Sequence, residues 1–307
     1  MSCLGCWGKI CTGLRKRSVK LARIEYFVKD LKDNFALFAN GFYPTSLFLA
    51  NLMVYLPFLK KIKFYPKKIH LPGGLKLYVN DAATLTVNVP DQYVRREYEL
   101  HSENIPRAGW TVFDVGAYVG LYSLRASKLA GGDGMVLAFE PNPIAYCWLS
   151  ENIRLNKASN IIPFPYALGS ENGIIEFYAV TKGNLGMSSP SKEHVSGKFA
   201  EVERYAKCYV PAITLDHFVQ KIGSYSRKAL NTISLMKIDV EGHEPFVLSG
   251  ATKTLERGLV QRIIVEIHLD SVKSNSIVDF LDAFGYNVNK VVRFDHVKEV
   301  AYFTQRK

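Results

Sequence analysis

The sequence predicts an alternating α/β fold, with a mostly parallel sheet closed by a C-terminal antiparallel hairpin and preceded by a helical N-terminal extension. Three observations predict it. Thr111-Val112-Phe113-Asp114-Val115-Gly116-Ala117-Tyr118-Val119-Gly120 reads as an apolar strand that breaks into a glycine turn, and residues 121–129 then repeat apolar side chains at helical spacing. Met135-Val136-Leu137-Ala138-Phe139 is a second apolar run, ending at Glu140. Residues 233–241 and 260–268 are further runs of the kind expected of parallel strands covered on both faces, and residues 286–294 and 297–303 pair as a hairpin around Asp295-His296.

The elements follow in order from the N-terminus. Residues 1–70 carry 13 Lys/Arg against 3 Asp/Glu, whereas the remaining chain is nearly balanced at 26 against 25, so the net charge of +11 belongs to one end. Residues 9–40 are basic and amphipathic, and residues 42–59 hold no charge over 18 positions. That run is just long enough to span a bilayer, but Pro44, Asn51 and Pro57 interrupt it. A helical cap on the α/β domain, a membrane-surface segment and a span are its three readings, and contact of residues 1–63 with a membrane surface is an expectation. The domain boundary is placed at 70/71, with 71–307 as one α/β domain. Residues 76–79 and 84–89 read as short strands, and residues 93–102 as a helix ended by Pro106 and Gly109. Beyond the glycine turn, helix 144–155, strand 161–168, strand 174–180, a polar loop over 181–200, strand 203–213 and helix 215–222 lead to strand 233–241. The length of the 181–200 loop makes it a candidate lid or acceptor loop. A helix from His243 to Glu256, the strand 260–268 and helix 277–284 complete the alternation.

Several functions are excluded by what the turn lacks. Gly116 and Gly120 do not make the G-x-G-x-x-G of a dinucleotide site, and no Gly-Lys-Ser/Thr follows for a P-loop. The five cysteines, Cys3, Cys6, Cys11, Cys147 and Cys208, have neither the parity nor the spacing of a disulfide framework, and the first three have no nearby fourth ligand for zinc. They are expected as free thiols of a cytoplasmic protein. A carboxylate at Asp114 suits a cationic ligand such as the methionyl part of S-adenosylmethionine, and Glu140 at the tip of the next strand is placed for ribose hydroxyls.

In an open α/β sheet, ligands sit outside the carboxyl ends of the strands. Those ends carry Asp114 and Gly116, then Glu140, then Asp239 and Glu241, then Glu266 and His268. Asp239 and Glu241 share a side only if the strand is still extended there, since Gly242 otherwise separates them.

The segments Phe113 to Gly120, Phe139-Glu140-Pro141-Asn142-Pro143, Ala167-Leu168-Gly169, Leu215-Asp216, Met236-Lys237-Ile238-Asp239-Val240-Glu241-Gly242-His243-Glu244, Leu248-Ser249-Gly250-Ala251 and Val265-Glu266-Ile267-His268 resemble the FkbM-type methyltransferases over residues 93–268. The resemblance implies a Rossmann-like class I methyltransferase fold and an O-methyltransferase that uses S-adenosylmethionine on a hydroxyl of a sugar, glycan or other small metabolite. It implies that Asp114, Gly116, Ala117 and Gly120 hold the methionine part of the cofactor, Glu140 its ribose, and Asn142 the adenine side. Tyr118 departs from the family, which commonly has Asn there. Asp239 and Glu241 would face the methyl group and acceptor, with Glu244 and Glu266 on the substrate side. His268 is the first candidate for general base, because an imidazole titrates near neutrality. Asp239 with Glu241 or His268 is also a chelating set for a divalent cation, an alternative not favoured over a side-chain base. The competing readings are an RNA methyltransferase that uses the basic segment, and a non-catalytic, cofactor-binding protein at a membrane. Nucleic acid is the less favoured partner because the positive charge is confined to one end.

Overall fold

The computed structural model describes residues 68–306 apart from 82, 198–201 and 226–231, together with the helical positions Lys32, Phe35 and Ala39. By contacts the chain divides into two units, Met1–Pro66 and Lys67–Lys307. The rest of the basic helix expected over 9–40, and the apolar run 42–59, lie outside the described residues. Among the described residues no helix is long and apolar enough to cross a membrane.

The second unit opens with a small antiparallel hairpin, β1 (Lys68–Leu71) and β2 (Leu75–Tyr78), turned at Pro72–Gly74. The strand expected over 84–89 is absent. Asp81 accepts the N–H and hydroxyl of Thr84 and so caps a helical start, and two wide helical turns follow, Thr84–Asn88 and Pro90–Val94. The helix expected over 93–102 is also absent, because the chain leaves helical geometry at Arg96, whose φ is +53°. Beyond it three neighbouring side chains take separate partners: Glu97 meets Lys298, Tyr98 meets Asp239 and Glu266, and Glu99 meets Arg125. Such long-range pairs outweigh the few tenths of a kcal/mol per residue by which helix propensity differs.

The main body then alternates. Strand β3 (Thr111–Val115) passes through the glycine turn into α1 (Leu121–Ala130), β4 (Met135–Phe139) into α2 (Pro143–Asn156), and β5 (Ile161–Phe164) follows. The single strand expected over 161–168 divides around Pro165. Strand β5 lies at the sheet edge, where Pro163 removes no essential donor, and β6 (Ala167–Leu168) joins a second sheet. That sheet is an insert, in which β7 (Gly173–Gly183) pairs antiparallel with β8 (Val202–Ile213) around α3 (Lys192–Gly197). The polar stretch 181–200 is therefore partly strand and partly helix rather than an open loop.

Helix α4 (Leu215–Tyr225) leads back to the main sheet at β9 (Leu235–Ile238). The helix expected from His243 to Glu256 forms as two, α5 (Glu244–Ser249) and α6 (Thr252–Glu256). The break falls at Gly250, where a Cβ would stand 1.9 Å from the Gly169 carbonyl oxygen, and Asp216 accepts the Lys253 and Thr254 N–H groups of α6. Strand β10 (Arg262–His268), α7 (Ser274–Ala283), β11 (Tyr286–Arg293) and β12 (Lys298–Gln305) complete the chain.

The main sheet has seven strands in the order β11-β12-β10-β9-β3-β4-β5, and β12 alone runs against the rest. Its core includes Phe113, Met236, Ile238, Val265 and Ile267, all at 0 % exposure. Phe218 of α4 meets Phe139 and Phe164 edge-on at 4.8 and 4.9 Å between ring centres. The chain winds outward from β3 to β5 and returns to the other side of β3 at β9. The strand order therefore reverses between β3 and β9, which is where an α/β sheet of this kind leaves a ligand crevice.

Candidate active site

Two neighbouring strand ends build the crevice. Gly116 follows β3 with φ +78°, and a Cβ there would lie 1.8 Å from the Asp239 carbonyl oxygen, so only glycine lets the two turns approach this closely. Gly120 has φ +93°, and its Cβ would meet Leu149 Cδ1 at 2.8 Å. Tyr118, between them, takes φ +53°, the left-handed region that Asn tolerates better than Tyr. Its hydroxyl lies 2.8 Å from Thr84 Oγ1 and donates to Asp81 Oδ2 at 3.2 Å, tying the turn to the 80–84 segment.

Asp114 is wholly buried beneath this turn. Its Oδ2 accepts from the Ser123 hydroxyl at 2.5 Å and its Oδ1 lies 3.2 Å from Lys237 Nζ. Burial raises the Asp114 pKa, against the pull of Lys237 and Ser123. Lys237 Nζ also donates to the Gly116 carbonyl at 2.8 Å and stands 3.3 Å from Asp239 Oδ2. Burial disfavours its charge, but Asp114 and Asp239 outweigh that and hold the ammonium above its ordinary pKa. Lys237 thus joins the β3 and β9 ends from below, and Asp114 acts on the turn through it.

Glu140 closes the other side. Its two carboxylate oxygens accept the N–H groups of Tyr118 and Asn142 at 2.7 and 2.8 Å, and burial pushes its pKa up to about 7. One backbone donor per oxygen leaves each with acceptor capacity for a ligand hydroxyl. Asn142 is committed locally: it caps α2 by accepting the Ile144 N–H, and it donates to Val180 O and Ser188 Oγ of the insert. The Ala117 N–H is likewise taken, by Phe139 O at 2.9 Å.

The acceptor side is organised around His268. Strand β9 ends at Ile238, so Asp239 and Glu241 are not on an extended segment; Glu241 takes φ +53° and Gly242 +89°. The turn nevertheless brings their carboxylates together rather than apart. His268 Nε2 lies 3.3 Å from Glu241 Oε2, 3.7 Å from Glu266 Oε1 and 3.9 Å from Asp239 Oδ1, and its Nδ1 is 2.8 Å from Glu244 Oε1. Burial opposes a charge on this imidazole, but Glu241 and Glu244 outweigh it and hold its pKa well above the ordinary value. These carboxylates favour the protonated ring, so the neutral base expected of His268 is not the form that its neighbours stabilise. Burial also opposes the Glu241 charge, yet His268 and His194 hold that carboxyl far below its usual range. Burial and the neighbouring Asp239 raise Glu266.

Four further groups complete the site. His194 of α3, within the stretch expected as a lid, brings its Nε2 to 2.7 Å from Glu241 Oε2, while the Ser189 hydroxyl donates to the Glu241 carbonyl at 2.9 Å. The Tyr98 hydroxyl bridges Glu266 Oε2 at 2.7 Å and Asp239 Oδ2 at 3.1 Å. Lys298 Nζ on β12 lies 2.7 Å from Glu97, 3.0 Å from Asp91 and 3.6 Å from Glu266. Lys237 was open to detection, since a lysine inside the apolar run Leu235-Met236-Lys237-Ile238 requires a buried partner. His194, Tyr98 and Lys298 carried no local signal.

Comparison with known proteins bears on what this geometry serves. Residues 114–288 match the family model described as the methyltransferase FkbM domain. Over 157 residues the chain is 32% identical to the hexuronic acid methyltransferase AglP of Haloferax volcanii, covering 51% of this chain and 55% of that protein. It is 28% identical over 202 residues to the methyltransferase sdnD of Sordaria araneosa, covering 61% of this chain and 77% of that one. Among solved structures, an FkbM methyltransferase from Methylobacillus flagellatus matches with a TM-score of 0.42 and 14% identity, over 73% of this chain and 56% of that one. The match to AglP thus spans about half of each protein, and the family model covers more than half of this chain, including every acidic strand end described above. The chain belongs to the FkbM family of S-adenosylmethionine-dependent methyltransferases.

Proposed function

We propose that the protein transfers a methyl group to a hydroxyl of a sugar, glycan or other small polyhydroxylated acceptor. The observation that carries this reading is the convergence of Asp239, Glu241 and Glu266 on His268 Nε2 at the carboxyl ends of β9 and β10. The relative that acts on a hexuronic acid supports a saccharide acceptor.

The residues present fit the cofactor by their chemistry. An edge of buried carboxylates suits a ligand with an ammonium, a sulfonium and ribose hydroxyls, and Glu140 retains acceptor capacity for the last of these. Asp114, Gly116 and Gly120 would shape the methionine end and Glu140 the ribose end. S-adenosylmethionine supplies an electrophilic methyl group when bound. The chain's own residues supply alignment and a destination for the acceptor's proton. Glu241, held strongly acidic between two histidines, is a poor base. Asp239 is the most open carboxylate of the group, at 21% side-chain exposure, and its Oδ1 faces the His268 side; it is assigned the proton. His268, fixed at Nδ1 by Glu244, would hold the acceptor's orientation through Nε2.

The test is calorimetric titration of S-adenosylmethionine into the purified chain and into Glu140→Gln, followed by methyl transfer from labelled cofactor to a panel of uronic acids and neutral sugars. Binding weakened by about 1–3 kcal/mol in the variant, with label appearing on a saccharide oxygen, is the expected result. A folded protein that binds no S-adenosylmethionine would end this reading.

A further inference from the structure

The geometry points to a divalent-cation site formed by Asp239 Oδ1, Glu266 Oε1 and His268 Nε2, which would receive an acceptor carrying two adjacent oxygens, such as a vicinal diol or an α-hydroxy acid. The cation site stands on its own geometry, and the acceptor it would receive rests on the function proposed above.

Spacing is the first argument. Ligand atoms of these three side chains lie within 4.8 Å of one another. Nε2 is 3.9 Å from Asp239 Oδ1 and 3.7 Å from Glu266 Oε1, with Glu241 Oε2 beside it at 3.3 Å. A cation with oxygen and nitrogen ligands at about 2.0–2.2 Å holds neighbouring ligand atoms about 3.0–3.6 Å apart, so the side chains would draw in by up to about 1–2 Å on binding.

Orientation is the second and independent argument. Each proposed ligand is tied back through its other polar atom. The Tyr98 hydroxyl takes Glu266 Oε2 and Asp239 Oδ2, and Lys237 approaches that same Oδ2 at 3.3 Å. Glu244 takes His268 Nδ1 at 2.8 Å. What remains, Asp239 Oδ1, Glu266 Oε1 and His268 Nε2, lies within 4.8 Å of one another, and an ion bound there would take the place of the Nε2 proton. Outer partners of this kind, including a carboxylate on the far nitrogen of a histidine, are what fix the ligands of metal centres.

Charge is the third. The two ammoniums near the set, Lys237 at 3.3 Å from Asp239 Oδ2 and Lys298 at 3.6 Å from Glu266 Oε1, are shared with deeper acids: Lys237 with Asp114 at 3.2 Å, and Lys298 with Asp91 at 3.0 Å and Glu97 at 2.7 Å. Asp239, Glu241, Glu244 and Glu266 therefore stand around two imidazoles, His268 and His194, and a divalent cation would help to balance these carboxylates. Asp239 is the open member at 21% side-chain exposure, so the free positions of the ion would face the crevice. Carboxylate oxygens with one imidazole suit an ion that accepts both, such as Mn²⁺ or Mg²⁺ with added water. With the ion bound, Asp239 would serve as a ligand, and an acceptor hydroxyl polarised by the ion would lose its proton to water of the crevice.

The test is titration of the full chain with Mn²⁺, read by the electron paramagnetic resonance of the free ion, for the unsubstituted protein and for Asp239→Asn, Glu266→Gln and Glu140→Gln, each checked for folding by circular dichroism. One ion per chain, weakened at least tenfold in Asp239→Asn and in Glu266→Gln and unchanged in Glu140→Gln, is expected. Absence of saturable binding up to millimolar Mn²⁺, or binding indifferent to both Asp239→Asn and Glu266→Gln, would overturn the inference. Calorimetry of S-adenosylmethionine on the same samples separates the two ideas. Cofactor binding without Mn²⁺ binding removes the cation site and leaves the methyltransferase reading. Mn²⁺ binding without cofactor binding keeps the site and removes the acceptor assigned to it.

Discussion

Replacing Lys237 with methionine isolates the interaction that joins the two strand ends. The ammonium is 2% exposed and meets the Gly116 carbonyl at 2.8 Å, Asp114 at 3.2 Å and Asp239 at 3.3 Å. Methionine fills a similar volume, so packing changes little, but Asp114, at 0% exposure, is left with the Ser123 hydroxyl as its remaining partner. Breaking one side of a buried ion pair in this way costs about 3–5 kcal/mol, a large share of the ~5–15 kcal/mol by which a domain is stable. The loss carries a signature in pH. Burial already raises the Asp114 pKa with Lys237 present, and removing the cation raises it further. A carboxyl whose folded pKa lies above its unfolded value contributes stability that is present at low pH and lost as pH rises through the folded pKa. Lys237→Met is therefore expected to be weakest at pH 8 and to approach the unsubstituted protein at pH 5. Urea unfolding followed by tryptophan fluorescence and circular dichroism at both values measures this. Lys237→Met with Asp114→Asn, a neutral pair, should recover to within about 1 kcal/mol at pH 8. A single-variant loss below about 1 kcal/mol, a loss equal at both pH values, or no recovery in the double variant would refute the reasoning.

Three further outcomes are expected. Gly116→Ala should cost at least about 3 kcal/mol in urea unfolding, because its Cβ would meet backbone at 1.8 Å, whereas Gly120→Ala, which meets only the flexible end of Leu149, should cost about 1–2 kcal/mol. Glu140 is buried with a pKa pushed up to about 7, so the unsubstituted protein should lose stability between pH 4.5 and 7.5 from this group, and Glu140→Gln should lack a fall of about 3 kcal/mol over that window. His194→Asn removes the ring that meets Glu241 at 2.7 Å; the KM for the acceptor should rise several-fold while S-adenosylmethionine affinity by calorimetry stays unchanged.

What could be read from the sequence was local. The strand, glycine turn and helix around Asp114 to Gly120 have a period and a breaker within one short window, and the sheet order follows from alternation. The segment from Tyr93 to Ser102 has the spacing of a helix, but its outcome depends on Lys298 and Arg125, far along the chain, which draw Glu97 and Glu99 out of a helix. Thr84 to Val89 has β-branched residues, but a two-residue polar cap at Asn80-Asp81 decided for helical turns. Among the site residues, those at strand tips were legible because topology alone places them on one edge. Tyr98 and His194 arrive from outside the alternating core, and a polar side chain in a polar stretch carries no mark of the carboxylate it will meet.

Glu241 is where these contributions join, and it admits a test that separates charge from shape. Its backbone sits at φ +53°, an arrangement that disfavours any residue with a Cβ, and the insert holds it there through Ser189 on its carbonyl and His194 on its carboxylate. Glu241→Gln keeps the side-chain shape and hydrogen-bonding reach but removes the charge that, with Glu244, holds His268 well above its ordinary pKa. A histidine raised in the folded state contributes stability that is complete below its unfolded pKa and lost as pH rises through the folded one. In Glu241→Gln that loss should be smaller and complete at lower pH, and the His268 ring resonances should titrate earlier in an NMR pH series. Glu241→Gly relieves the backbone but gives up both histidine contacts, so it should shift the His268 titration in the same direction while also loosening the insert, seen as faster amide exchange around Ser189 and His194. If the His268 titration is the same in all three proteins, the charge on Glu241 does not govern it. Glu244, at 2.8 Å from Nδ1, would then be the carboxylate that holds the ring charged.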